Sequence, residues 1–183
     1  LALLEANRDH VFVGPAVAWE ITFLEHYQSF GFEKGSPEHE GYSAELEATQ
    51  ASVRRMREAG IRVLVGGDYG LNITPHGTYA KELQYFTDYF GFSPGEALQA
   101  ATKHGGEAFM PDGSLGTLEA GKIADMVIVK GNPLEQISVL QEADNIAAVI
   151  KDGEIYAGLL DSRSPHHKHP EELGHVLGAS PCN

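Results

Sequence analysis

Residues 61–77 read IRVLVGGDYGLNITPHG. The first five are β-branched or apolar apart from one arginine, a continuous run expected of a buried strand. Two glycines then stop the run and an aspartate, Asp68, follows at once. A strand that ends in Gly-Gly-Asp delivers one carboxylate to the end of a sheet. Upstream, SAELEATQASVRRMREAG (43–60) predicts a helix, with Leu46, Val53 and Met56 on one face, Ser43 as its cap and Gly60 as its stop. Further upstream, HVFVGPAVAW (10–19) predicts a strand ending near Val13, because Gly14 and Pro15 do not suit a central strand. Residues 20–42 read as an irregular excursion, and residues 2–8 as the end of a helix.

Downstream, residues 78–90 predict a second helix from the spacing of Tyr79, Leu83, Phe86 and Phe90. SPGEALQAATKHGG (93–106) follows. Ser93 is the expected N-cap, Pro94 the first helical residue and Glu96 the third, which is a capping box; Gly105 and Gly106 are the expected stop. Strand, helix, strand, helix in this order implies a parallel α/β layout. After residue 110 turns alternate with short strands, and VIKDGEIY (149–156) carries a hairpin signal at Asp152-Gly153. Residues 161–183 are polar and Pro-rich, without an apolar period, and read as a His-rich tail expected to be disordered.

The 183 residues are 42% hydrophobic, enough for one domain with a real core. A net charge of −13 and a pI of about 5.0 argue against nucleic acid and anionic membrane as partners, since both favour basic patches. No apolar run reaches the ~18–20 residues of a membrane span. The single cysteine, Cys182, excludes an intrachain disulfide and a cysteine-based metal cluster, which fits a reducing, cytoplasmic setting. The chain opens without Met on LALLEA, which reads like the middle of a helix and raises the expectation of a processed chain or a piece of a longer one.

Residues 115–134, LGTLEAGKIADMVIVKGNPL, resemble the C-terminal signature of the metal-dependent amidohydrolase superfamily, in particular its imidazolonepropionase-like and Xaa-Pro-dipeptidase-like branch. SPGEALQAAT resembles that family's last barrel helix, GGDYG its segment at the eighth strand, and VFVGPAVAW its seventh strand and following loop. The resemblance spans roughly residues 5–160. It implies an α/β chain holding a partial (β/α)8 barrel, the last two β/α units in residues 1–110, followed by short strands of a composite β-sandwich in 111–160. A complete barrel needs about 250 residues. The family's His-x-His of strand one, and its ligands from strands four to six, have no counterpart before Asp68.

The resemblance implies that Asp68 is both a metal ligand and the proton acceptor of metal-activated water, in the hydrolysis of an amide, peptide or cyclic C–N bond. His76 falls in the loop that borders the substrate pocket in related enzymes. Tyr69 and Asn72 are lesser candidates. Lys122 and Asp125 are expected to shape a turn, and His104 to sit at a helix end. His10, His26 and His39 lack metal-site spacing. In the tail, His166, His167, His169 and His175 form a dense imidazole group able to bind copper, nickel or zinc. The expected cofactor is a divalent metal, zinc first and copper second.

Three functions are open at this point. The chain is one half of a hydrolase site for a small-molecule or peptide substrate, completed by an N-terminal fragment or another subunit. Or it is a stand-alone copper or zinc enzyme, an oxidoreductase among the options, using non-family histidines. Or it is a catalytically silent fragment that oligomerises through its open sheet edge.

Overall fold

The structure, a computed structural model, describes residues 1–158. A short helix α1 (Ala2–Ala6) leads into β1 (Phe12–Val13) and α2 (Ala18–His26), which tightens into a 3₁₀ turn at Tyr27–Phe30. The long α3 (Pro37–Glu58) returns the chain to β2 (Arg62–Val63). Then come α4 (Ala80–Phe90), α5 (Pro94–Ala101) and α6 (Lys103–Phe109), and last the strands β3 (Met126–Val129), β4 (Ile146–Lys151) and β5 (Glu154–Gly158). β1 and β2 run parallel, Phe12 opposite Arg62 and Val13 opposite Val63, and the Leu64 N–H extends the pairing to the Val13 carbonyl at 2.9 Å. The parallel pair joined by helices is the layout the sequence order implied. Among the described residues each of these two strands is paired along one edge only.

The excursion expected at 20–42 is instead largely helical. α2 buries Ala18, Ile21, Thr22 and Phe23, which are nearly consecutive and draw no single helical stripe. α3 also starts earlier than expected. Its cap is Ser36, whose Oγ accepts the His39 N–H at 3.3 Å, with Pro37 in the first turn. Ser43 lies inside the helix and donates to the His39 carbonyl at 2.8 Å. The Ser-Pro start that marks α5 thus marks α3 as well. The expected capping box is present: Ser93 N–H donates to Glu96 Oε2 at 2.8 Å, and Glu96 N–H to Ser93 Oγ at 3.3 Å.

Gly105 and Gly106 do not stop a helix; they lie within α6. The break comes earlier, at Thr102, whose hydroxyl caps back onto the Leu98 carbonyl at 2.7 Å. His104 accordingly lies in the first turn of α6, at an N-terminal end, rather than at the C-terminal end of the helix that Ser93 caps. Gly106 serves close approach: a Cβ there would lie 2.5 Å from the Leu115 carbonyl and 2.6 Å from the Gly116 Cα. Gly106→Ala is therefore expected to cost about 1–3 kcal/mol, because backbone rather than a flexible side chain must move. Urea unfolding measures it, and wild-type stability would show that the two backbones separate freely.

β3, β4 and β5 form an antiparallel sheet in sequence order. The β4–β5 hairpin turns on Asp152 (φ 52°) and Gly153 (φ 79°), both left-handed as the Asp-Gly pair predicted. Asp125 accepts the Asp152 N–H at 2.7 Å and faces Lys151 at 3.4 Å, while Lys122 bonds Glu119 at 3.0 Å and the Thr117 hydroxyl. Both residues shape turns, as expected. The core gathers Val17, Ile21, Val53, Val63 and Phe86, and Ile137 from the stretch before β4 joins it. No helix among the described residues is long and apolar enough to cross a membrane.

Candidate active site

β1 and β2 point the same way, so the loops after them, 14–17 and 64–79, leave the sheet at one end. The loops touch: a Cβ on Gly14 would sit 4.0 Å from the Gly66 carbonyl. Ala16 is left-handed at φ 53°, an unusual conformation for alanine in the first of these turns. Asp68 stands in the second.

The backbone around Asp68 is held on several sides. The Thr74 hydroxyl, 2% exposed, donates to the Asp68 carbonyl at 2.8 Å. The Gly70 N–H donates to the Thr74 carbonyl at 2.9 Å, closing a small loop, and Gly70 is left-handed at φ 105°. The Asp68 side chain itself is exposed and engages no hydrogen bond or ion pair with the described residues.

His76 is exposed. Its Nδ1 lies 2.7 Å from the Tyr79 hydroxyl, and its Nε2 would be 3.0 Å from a Cβ on Gly70. The loop thus folds the imidazole over the backbone two residues beyond Asp68. Tyr79 packs edge-on to Tyr69, with ring centroids 4.7 Å apart. Asn72 is exposed on the same loop.

One residue the sequence reading passed over sits beneath all of these. Glu82, in the first turn of α4, is 1% exposed. Its Oε2 accepts the Tyr69 hydroxyl at 3.3 Å, while Oε1 is buried without a hydrogen bond. The Gly66 and Gly67 backbone amides, like the Tyr69 hydroxyl, favour the ionised carboxylate. Burial outweighs these and pushes the Glu82 pKa up to about 7. The same burial, with the Glu82 charge beside it, raises Tyr69 well above the ordinary phenol range. The available signal was a carboxylate next to Leu83 and one turn before Phe86, on the apolar side of an amphipathic helix.

A cavity of about 120 Å³ opens beside this loop, lined by Thr22, His26, Tyr69, Thr74, Lys81 and Tyr85 among others. Lys81 pairs with Glu25 at 2.9 Å on its rim. A larger cavity, of about 740 Å³, lies elsewhere, between the α5–α6 region and β3, and contains none of the candidate residues. His39 is occupied edge-on by Tyr27 at 4.8 Å. No group of three or more His, Cys, Asp or Glu side chains among the described residues is arranged to hold a metal ion. His166, His167, His169 and His175 lie outside the described residues.

Comparison with known proteins follows the same lines. Residues 19–156 match the Amidohydrolase family. The ochratoxinase of Aspergillus niger is 34% identical over 114 residues, covering 62% of this chain and 22% of that enzyme. The imidazolonepropionase of Symbiobacterium thermophilum is 32% identical over 110 residues, covering 60% of this chain and 26% of that enzyme. A solved Xaa-Pro dipeptidase with methionine bound in its active site superposes with a TM-score of 0.61 at 30% identity, over 80% of this chain and 34% of that one. The chain thus spans about a quarter of the length of these two curated relatives. With that signature and a match running from α2 into β5, the chain belongs to the Amidohydrolase family.

Proposed function

We propose that this chain is the C-terminal part of a metal-dependent amidohydrolase that hydrolyses an amide, peptide or cyclic C–N bond in a small-molecule or peptide substrate. Residues 1–110 supply the last two β/α units of a (β/α)8 barrel and residues 111–160 strands of a β-sandwich. The observation that carries this reading is Asp68, a free carboxylate on the clamped loop that follows a parallel strand. The match to the Amidohydrolase family and the likeness to a Xaa-Pro dipeptidase support the reaction class.

Asp68 is one ligand, and a divalent ion needs several. The remainder come from barrel strands supplied by an N-terminal fragment or another subunit. A two-stranded parallel sheet supports this, because parallel sheets are stable with more strands and both faces covered. A divalent ion held there, zinc in the first instance, would acidify its bound water toward a pKa of ~7. Asp68 takes the proton from the attacking water at its carboxylate and returns it to the leaving nitrogen. His76, on the loop edge, contacts the substrate.

The test is hydrolysis of a panel of dipeptides, N-acyl amino acids and cyclic amides by the complete protein. Turnover is expected, with loss on chelation and recovery on adding back zinc or another divalent ion. Intact mass of the active species is expected to include a segment or second chain carrying His-x-His. Full activity of a monomer of this chain alone, unaffected by chelators, would sink the reading.

A further inference from the structure

We infer that Glu82 is a positioning residue, whose buried carboxylate on α4 holds the Gly66–Tyr69 backbone so that Asp68 is presented at a fixed place. The inference rests on the proposed role of Asp68.

Three observations converge on it. Glu82 lies against the chain on both sides of Asp68: Oε2 takes the Tyr69 hydroxyl at 3.3 Å, and a Cβ built on Gly67 would stand 3.1 Å from it. Gly67 has no room for a side chain, since that Cβ would also meet the Tyr69 ring at 2.7 Å and the Ala18 methyl at 3.0 Å. The peptide is pressed onto the carboxylate from above, with Tyr69 and Ala18 as walls. And Glu82 is buried at a cost. An unpaired carboxyl oxygen inside a protein has lost its hydration without replacement, and leucine would suit a buried helix face beside Phe86 better. A group kept there against packing does something packing cannot.

That something is directional. Apolar side chains fill space but do not fix the orientation of a peptide plane; an acceptor facing amide dipoles and a phenol does. The Thr74 hydroxyl fixes the Asp68 carbonyl from the other side. Between the two clamps only the Asp68 side chain keeps its freedom, and its rotamers turn about a fixed Cα. Sites held within about 0.5 Å by such a supporting layer are the productive ones.

The test compares Glu82→Leu, Glu82→Gln and Tyr69→Phe in the full protein by two readouts. Amide hydrogen exchange at residues 66–70 reports the loop without reference to any reaction. Steady-state kinetics on the best substrate of the panel reports presentation. Glu82→Leu is expected to speed exchange at 66–70 by about 10-fold relative to β3–β5, and to lower kcat with KM little changed. Glu82→Gln, which keeps an acceptor oxygen, is expected to recover most of both losses, and Tyr69→Phe to show a smaller loosening confined to the same amides. If Glu82→Leu does not fold, the Gln and Phe variants still decide. The inference is overturned if exchange at 66–70 follows β3–β5 in every variant, or if Gln behaves no better than Leu. It is also overturned if the loop loosens while kcat stays at wild type. A protein in which Asp68→Asn remains active fails the functional reading instead, whatever the exchange data say of the loop.

Discussion

Asp68→Asn in the complete protein is expected to lower kcat by about 10²–10⁴-fold, the range for losing a positioned proton acceptor, with the melting transition unchanged. The two halves of that expectation have separate grounds. Asparagine has nearly the shape of aspartate, and the contact that holds residue 68 in place runs through its backbone carbonyl to the Thr74 hydroxyl, which the substitution leaves alone. No ion pair or hydrogen bond of the carboxylate within the described residues is lost either, so the fold has nothing to miss. Under the proposed mechanism the chemistry loses both an anionic ligand and a base. Metal content should fall with kcat, which separates this variant from His76→Ala. There the lost group is an exposed imidazole tethered to Tyr79, and the expected change is a higher KM with kcat nearly kept. Wild-type turnover in Asp68→Asn would remove the residue from the mechanism.

The parts of this molecule that were legible in the sequence are those where one local rule decides. Ser93-Pro94 with Glu96 can do little except cap a helix, and Asp152-Gly153 little except turn a hairpin. Gly-Gly-Asp after an apolar run placed Asp68 just beyond a strand, although β2 stops at Val63 and Asp68 stands five residues further on, in the loop. What was not legible depended on contacts distant in the chain. α2 has no stripe because it is buried on more than one side, against α3 and against the aromatic group of Phe30, Phe32 and Tyr42 around Phe23. Gly106 looks like a helix stop until Leu115 and Gly116 are seen against it. Glu82 carries no local mark, since the first turn of a helix is a favourable place for a negative charge. Only the fold of the 64–79 loop over it turns that acid into a buried group.

That buried group makes stability depend on pH, with a sign that can be stated in advance. The Glu82 pKa is about 7 when folded and 4.5 when free, so below about pH 4.5 the carboxyl is protonated in both states. Its burial is then uncontested and its contribution to stability is fully present. Between 4.5 and about 7 the unfolded chain releases the proton and the folded chain keeps it, so each rise in pH favours unfolding. Above about 7 both states are ionised and the loss is complete, about 3 kcal/mol at roughly 1.4 kcal/mol per pH unit. Glutamine does not titrate. The stability of Glu82→Gln minus that of wild type should therefore climb by about 3 kcal/mol from pH 4.5 to 8 in urea unfolding, while other carboxylates cancel in the difference. Tyr69, the nearest titratable neighbour, keeps its proton throughout because its own pKa is raised. Two parallel curves would mean that water reaches Glu82 and that its burial is not what the loop rests on. A climbing difference would mean that at neutral pH the protein sustains a costly carboxylate directly under the backbone that carries Asp68, where an uncharged acceptor of the same shape would be cheaper to bury.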